Sequence, residues 1–155
     1  MPEIHGWRLT QPQHAEDAFN GEGASIYGGR WNHIGFPAVY AGSCASVTVM
    51  EVLVHFEISF LQRSAFSIIF FTLTIPSVTQ IDRFSLPKNW RNDPPPHEIT
   101  DMGTKWLQRA ETPVLIVPSA TVPQDNIYVL NPRHPNLKIR IERVENFCLD
   151  SRLCL

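Results

Sequence analysis

The apolar residues of this chain fall into short stretches whose pattern predicts β-strands more often than helices. The longest stretch, residues 65–75, is rich in β-branched and aromatic side chains and ends at Pro76, which predicts a buried strand. Residues 137–142 alternate apolar and charged side chains, which predicts a half-exposed strand near an edge of the sheet. Shorter apolar stretches predict three further strands: 38–41, 114–117 and 127–130.

Three segments have the spacing or the end signals of a helix. One begins at residue 43 or 44 and extends to 55, and a weaker one covers 14–19. A third covers 100–109, where Thr100 is placed to cap the helix and Asp101 favours its first turn. Because the strands lie on both sides of these helices without alternating βαβ units, we predict an α+β fold with a mixed or antiparallel sheet.

Length and composition indicate one globular domain. A chain of 155 residues has the usual size of a single domain, so we expect one domain over residues 1–155. The apolar fraction of 43% is large enough to form a core, and the charged fraction of 18% is too small for a disordered chain. Three consecutive prolines within 92–96 exclude helix and strand there and predict a surface loop.

The charge and cysteine content exclude several classes of function. The formal charge of -2 offers no general attraction to nucleic acid or to an anionic membrane, so we expect neither as a partner. The first eight residues lack the pattern of a secretory signal. Three cysteines without a CxxC pair argue against a disulfide scaffold and against a zinc knuckle. We therefore expect a cytoplasmic protein.

Common cofactor and metal motifs are missing from the sequence. It contains neither GxGxxG nor GxxxxGK[ST], which argues against a dinucleotide-binding Rossmann unit and against a Walker loop. It also contains no HExxH and no Cys/His spacing typical of a metal site, so no metal is predicted.

The first candidate for chemistry is Arg30, which follows the glycine pair Gly28 and Gly29 and precedes an aromatic residue. Glycines allow backbone conformations in which N–H groups and a guanidinium converge on one anion. The alternative is an ordinary turn with a solvated arginine, and spacing alone favours that alternative.

The second candidate is Glu51, the first charged residue in a helix that the sequence makes apolar on nearly all sides. A carboxylate in such a helix loses several kcal/mol of hydration unless a cation or several donors compensate. Two arrangements satisfy this requirement equally well: a buried ion pair with Arg30 or Arg8, or a carboxylate poised in a cleft.

Ser119 and two tyrosines complete the candidates. Ser119 follows a predicted buried strand, but no GxSxG motif accompanies it, so it is predicted to form hydrogen bonds rather than to act as a nucleophile. Tyr40, at the end of a strand, and Tyr27 are candidates to stack on a planar ligand ring, although aromatic residues in strands more often belong to the core.

Taken in order, these segments resemble the RES domain family, which is named for its Arg, Glu and Ser. The family residues correspond to Arg30, Glu51 and Ser119, and its aromatic residue corresponds to Tyr40. The resemblance covers nearly the whole chain and is carried by WRL at 7–9, GRWN at 29–32, AVY at 38–40, EVLVH at 51–55, GTKWL at 103–107, VPSA at 117–120, NPRHP at 131–135 and FCLDSRL at 147–153.

The resemblance implies the toxin of a bacterial toxin–antitoxin pair, with a fold like that of ADP-ribosyltransferases. It implies an enzyme that cleaves the nicotinamide–ribose bond of NAD by hydrolysis or phosphorolysis, and an Xre-type helix-turn-helix antitoxin that blocks the cleft. NAD is then the substrate and no cofactor is needed. Two alternatives remain open: transfer of ADP-ribose to a protein, and an inactive module that only binds an antitoxin.

Each candidate residue then has an expected role. We expect Arg30 to bind a phosphate or orient the ribose, and Tyr40 to stack on nicotinamide, with Tyr27 as a further binding residue. We expect Glu51 to stabilise the cationic ribose or activate water. Ser119 is expected to form a hydrogen bond with the substrate.

Overall fold

A computed structural model describes residues 2–75 and 77–153. Within these residues seven strands form one sheet in the order β4-β5-β6-β2-β1-β3-β7. The strands are β1 (Glu3–Thr10), β2 (Val39–Gly42), β3 (Phe66–Thr74), β4 (Val78–Gln80), β5 (Val114–Pro118), β6 (Asn126–Leu130) and β7 (Lys138–Phe147). The helices are α1 (Glu22–Tyr27), α2 (Ala45–Leu53), α3 (Ile58–Arg63) and α4 (His97–Arg109). Because β4 and β5 are parallel and the other pairs are antiparallel, the predicted α+β fold with a mixed sheet is confirmed.

The five predicted strands are all present. The predicted strand 65–75 is β3, although Pro76, expected to end it, lies outside the described residues. β7 is an edge strand, as its alternating pattern predicts, and it continues five residues beyond the predicted end, to Phe147. The strand β1, which pairs with both β2 and β3 near the middle of the sheet, was not predicted from the sequence. Its pattern is interrupted at Gly6, where a Cβ would lie 2.5 Å from the Phe71 ring.

The helices differ more from the predictions than the strands do. The predicted helix 14–19 is wrong: a 3-10 turn, Pro12–His14, is followed by turns. The Ala18 carbonyl in this segment accepts a hydrogen bond from the Arg8 side chain, which holds the chain in its non-helical path. The longest helix, α4, begins at His97, three residues before the predicted start, and Thr100 is buried within it instead of capping it.

Two apolar clusters cover the two faces of the sheet. Leu115 and Val129 pack with α4 in one cluster, whereas their strand neighbours Val114 and Leu130 belong to the other. This alternation follows from the two-residue period of a strand. Burial of each such large side chain contributes about 1.5–3 kcal/mol, so the sheet and α4 form a rigid support.

Two further observations concern the cysteines and membrane-spanning helices. Cys44 and Cys148 are free thiols, whereas Cys154 lies outside the described residues. No helix in residues 2–75 and 77–153 is long and apolar enough to cross a bilayer.

Candidate active site

An open cleft of about 1250 Å³ brings together most of the residues singled out from the sequence. This volume exceeds the roughly 300–1,000 Å³ typical of small-molecule pockets, so a large ligand fits. Tyr27, Arg30, Tyr40 and Glu51 all line the cleft, although they come from α1, the following turn, β2 and α2. Ser119, the fifth predicted residue, lies beside the cleft and is not part of its lining.

Glu51 is oriented by Ser119. The Ser119 hydroxyl donates a hydrogen bond of 2.5 Å to Glu51 Oε1. The same Oγ accepts hydrogen bonds from the backbone N–H groups of Thr121 at 3.2 Å and Val122 at 3.0 Å. Because two backbone donors occupy the lone pairs of the hydroxyl, its single proton is directed to the carboxylate. Glu51 is thereby held in one orientation at the wall of the cleft.

The predicted role of Ser119 therefore changes. Its side chain is 0% exposed, and its donor and acceptor positions are all used within the protein. In this conformation a bound substrate cannot reach the hydroxyl. The expectation of a direct hydrogen bond to the substrate does not fit this geometry, and Ser119 is placed to act through Glu51.

Glu51 is not enclosed as the sequence suggested. The helix α2 ends at Leu53, and the apolar residues of this segment are not all packed: Met50 in α2 is 38% exposed, and Val54, just after it, is 60% exposed. Glu51 itself is only half-buried, so water reaches it and a buried counter-ion is unnecessary. Among the described residues, Glu51 forms no salt bridge with Arg30 or Arg8. The geometry is that of a carboxylate in a cleft, the second of the two predicted arrangements.

Arg30 faces the same cleft and is anchored by backbone carbonyls. Its Nη1 donates to Trp90 O at 3.0 Å and to Asn92 O at 2.9 Å. Burial lowers the pKa of Arg30, and the negative charges of Glu51 and Asp93 partly oppose that shift. The guanidinium remains a cation, and its remaining N–H groups are available for an anion in the cleft.

The glycine pair before Arg30 has a steric explanation. Gly28 has a φ of +74°, a conformation that other residues rarely adopt. A Cβ on Gly29 would lie 2.7 Å from both Asn32 Oδ1 and the Tyr40 hydroxyl. The turn that carries Arg30 therefore packs directly against these two side chains, and only glycine fits there.

Tyr40 is tied into this turn through its hydroxyl. The hydroxyl donates to Asn32 Oδ1 at 2.6 Å and accepts from the Trp31 N–H at 3.0 Å. The Asn32 amide in turn donates to the carbonyls of Ala24 and Phe36. Burial raises the pKa of Tyr40, so the phenol stays neutral. Its hydroxyl holds the turn together through these two hydrogen bonds, while the residue also lines the cleft.

Tyr40→Phe is expected to reduce the free energy of unfolding by about 1–3 kcal/mol, because the Asn32 carbonyl oxygen and the Trp31 N–H lose their partner. Urea denaturation measures this. The matched control is Tyr128→Phe on the neighbouring strand β6, whose hydroxyl has no partner within the described residues, and a change within about 0.5 kcal/mol is expected there. Equal losses of unfolding free energy in both variants would show that the hydrogen bonds of the Tyr40 hydroxyl do not stabilise the turn.

Two cleft residues differ from the sequence expectations. Tyr27 lies at the end of α1, is 82% exposed and forms part of the rim. Arg8, considered from the sequence only as a partner of Glu51, lines the cleft from β1. It donates to Ala18 O and Tyr40 O, and burial lowers its pKa to about 10. The recognition of β1 as a strand would have been needed to place it.

Arg8 and Arg30 give the cleft an anion-binding character. Neither guanidinium has a carboxylate within salt-bridge distance among the described residues, and burial lowers the pKa of each. A partly desolvated cation without a counter-ion is stabilised by an incoming anion. Within the described chain, no group of three or more His, Cys, Asp or Glu side chains is arranged to hold a metal ion.

Comparisons with known proteins identify the family of this chain. The model of the RES domain matches residues 5–150. A protein named Toxin Res from Yersinia enterocolitica is 35% identical over 95% of this chain and 97% of its own length, and one of the same name from Photorhabdus laumondii is 37% identical over 95% of both. A Prs ADP-ribosylating toxin from Sphingobium is 30% identical over 95% of this chain and 94% of its own length.

A solved structure shares the fold at low sequence identity. A chain of the MbcT–MbcA toxin–antitoxin complex of M. tuberculosis superposes with a TM-score of 0.77 and 18% identity, over 95% of this chain and 85% of that one. The fold is therefore the same, and the sequence relationship rests on the relatives and the family model. The chain belongs to the RES domain family and is a toxin of that family.

Proposed function

We propose that this toxin binds NAD in the cleft and cleaves its nicotinamide–ribose bond. The observation that carries the proposal is the position of Glu51: a half-buried carboxylate, held by Ser119, at the wall of an open cleft that Arg8 and Arg30 also line. NAD supplies a pyrophosphate for guanidinium groups and a ribose that becomes cationic during cleavage. The proposal therefore uses both kinds of charge in the cleft.

The bond cleavage follows from these charges. When the C–N bond breaks, its electron pair goes to the nicotinamide ring nitrogen, which becomes neutral, and positive charge develops on the ribose. A carboxylate at Glu51 stabilises that charge most where it is greatest, in the transition state. The oxygen of water or phosphate then forms the new bond to the ribose carbon, and water gives up its proton to Glu51 or to solvent.

The two arginines have the binding role in this proposal. Arg30 keeps N–H groups free beyond the two that bind Trp90 O and Asn92 O, and we assign it to a phosphate of NAD. Arg8, which lines the cleft from β1, is the second candidate for the pyrophosphate. Tyr40 and Tyr27 are the aromatic residues of the cleft, and we assign them to the planar rings of the ligand.

The experiment is an assay of the purified protein with NAD, with and without inorganic phosphate. Release of nicotinamide is expected, and the remaining product distinguishes hydrolysis, which gives ADP-ribose, from phosphorolysis, which gives its phosphate ester. A folded protein that releases no nicotinamide under either condition would contradict the proposal and favour the inactive binding module.

A second candidate activity is transfer of ADP-ribose to a protein. It is favoured by the relative from Sphingobium, which is named an ADP-ribosylating toxin. The two activities share the bond cleavage and differ in the acceptor. NAD labelled in its adenine part, added to a cell lysate with the toxin, distinguishes them, because transfer puts the label on a protein and hydrolysis leaves it on a small molecule.

We further propose an Xre-type antitoxin as the partner and the cytoplasm as the location. The MbcT–MbcA neighbour is described as a toxin–antitoxin complex. Exposed apolar side chains surround the mouth of the cleft, among them Tyr27, Ile34, Val54 and Phe56. A protein that covers this rim would bury apolar surface and close the cleft at the same time.

Ser119→Ala is expected to lower kcat about tenfold with little change in KM, because it removes one charge-assisted hydrogen bond and leaves the cleft lining unchanged. Steady-state kinetics of nicotinamide release test this. The control is Ser46→Ala, at an exposed position of α2, which should leave both constants unchanged. A change confined to KM would contradict the positioning role and indicate direct contact with NAD.

A further inference from the structure

The side chain of Arg91 connects two segments at the wall of the cleft. Its Nε donates a hydrogen bond to Ala120 O at 2.8 Å, and its Nη2 donates to Thr121 O at 3.5 Å. Arg91, Ala120 and Thr121 all line the cleft. Among the described residues, no carboxylate lies within salt-bridge distance of Arg91. The guanidinium is therefore held by backbone carbonyls and not by an ion pair.

The backbone that carries Arg91 is fixed in the fold. The preceding residue, Trp90, is buried in the apolar cluster that also contains residues of α4. Arg30 Nη1 donates to the carbonyls of Trp90 and Asn92, which flank Arg91 on both sides. The Arg91 side chain thus begins at an anchored segment and ends on a turn, so it sets the position of that turn.

The turn that Arg91 holds, directly after β5, also orients Glu51. Ser119 Oγ, which donates to Glu51, accepts hydrogen bonds from the N–H groups of Thr121 and Val122. These N–H groups reach the hydroxyl only while the turn keeps its shape. The direction of the hydroxyl proton, and with it the orientation of the carboxylate, therefore depends on the conformation of this turn.

The carbonyl groups of the same turn depend on Arg91. Among the hydrogen bonds of the described residues, only Arg91 donates to the carbonyls of Ala120 and Thr121. The bond from the Ser119 N–H to Asp125 O, at 2.9 Å, closes the turn on itself. Arg91 is different, because it ties the turn to the segment before α4.

We propose that Arg91 is a positioning residue for the bond cleavage: it fixes the turn that carries Ser119, and the Ser119 hydroxyl holds the Glu51 carboxylate in place. The inference rests on the proposed function, since it assigns the effect of Arg91 to the step in which Glu51 stabilises the cationic ribose. Arg91 acts on this step without contact with NAD. A small displacement of the carboxylate weakens its stabilisation of the developing charge.

The same contacts connect the two kinds of charge in the cleft. Arg30 binds the carbonyls that flank Arg91, and Arg91 binds the turn that orients Glu51. One continuous series of contacts thus joins the anion-binding side of the cleft to the carboxylate. Members of such a series are expected to be coupled energetically, and double variants measure that coupling.

Steady-state kinetics of nicotinamide release by the purified full chain test the proposal. Arg91→Ala should lower kcat about fivefold with KM unchanged, because the Ser119 hydroxyl remains and only its support is lost. Arg91→Lys keeps the charge but not the forked geometry, so its kcat should be intermediate. The control is Arg109→Ala, at an exposed position at the end of α4, which should leave both constants unchanged.

The double variant with Arg91→Ala and Ser119→Ala tests whether Arg91 acts through Ser119. If it does, the double variant loses about tenfold in kcat, as Ser119→Ala does alone, whereas independent losses multiply to about fiftyfold.

Amide hydrogen exchange gives a measurement that needs no activity. The N–H groups of Thr121 and Val122, which bind Ser119 Oγ, should exchange about tenfold faster in the Arg91→Ala protein, because the turn opens more often. Their exchange in the Arg109→Ala protein should equal that of the wild type.

The outcomes separate this inference from the proposed function. A change confined to KM would assign Arg91 to direct contact with NAD and overturn the inference. Unchanged kcat in Arg91→Ala protein, losses that multiply in the double variant, or unchanged exchange of the two amides would overturn it as well. A wild-type protein that releases no nicotinamide would overturn the proposed function itself, and the inference with it.

Discussion

Glu51→Gln is expected to lower the rate of nicotinamide release from NAD about a hundredfold or more, the usual loss when one electrostatic stabiliser of a transition state is removed. The amide keeps the size of the side chain and still accepts the hydrogen bond of Ser119, so the fold and the orientation are preserved. Only the negative charge beside the ribose is lost. Single-turnover measurements of nicotinamide release, with the protein in saturating excess over NAD, report this step directly.

The matched control is Glu57→Gln, the same chemical change at an exposed position shortly after α2. It should leave the rate within a factor of about two. Thermal unfolding verifies that both variants are folded. Turnover near that of the wild type in folded Glu51→Gln protein would remove Glu51 from the chemistry, and an equal loss in both variants would assign the effect to net charge.

Arg30→Ala is expected to weaken NAD binding about thirtyfold, which corresponds to roughly 2 kcal/mol for the loss of a charged hydrogen-bonded contact. Isothermal calorimetry measures the affinity, with Glu51→Gln present in every protein so that NAD is not consumed during the titration. Arg30→Lys should give an intermediate value, because lysine keeps the charge and loses the forked geometry.

The control for this series is Arg109→Ala, which removes an exposed arginine at the end of α4. It should leave the affinity unchanged. Arg30 also holds the carbonyls of Trp90 and Asn92, so urea denaturation of the Arg30→Ala protein checks that the segment before α4 remains in place. Unchanged NAD affinity in folded Arg30→Ala protein would remove Arg30 from the binding site.

Local patterns were sufficient to predict the strands that have a regular arrangement of side chains. β3 was predicted from a continuous apolar run, and β7 from alternating apolar and charged residues. β1 carries Gly6 and several polar residues, and it becomes a strand because β2 and β3 pair with it on both sides. The segment 14–19 shows the reverse, since its local helical tendency is overridden when Arg8 binds the Ala18 carbonyl.

The candidate site was likewise predicted only in part from local sequence. Arg30, Tyr40 and Glu51 were singled out from their residue types and neighbours, and they do line one cleft. The role of Ser119 was not visible in this way, because its hydrogen bond to Glu51 joins residues 68 positions apart. The cleft position of Arg8 was missed for a similar reason, since it depends on β1 lying beside β2.

The amino-acid sequence by itself determined the class of fold, the principal strands and the residue types available for chemistry, because burial and secondary structure are encoded in local periodicity. Only the tertiary structure decided that Glu51 lines an open cleft instead of forming an ion pair with an arginine, that the Ser119 hydroxyl binds the Glu51 carboxylate, and that Arg8 lines the same cleft as Arg30. These outcomes depend on which distant segments pack together, and hydrogen bonds between such segments leave no periodic signal in the chain.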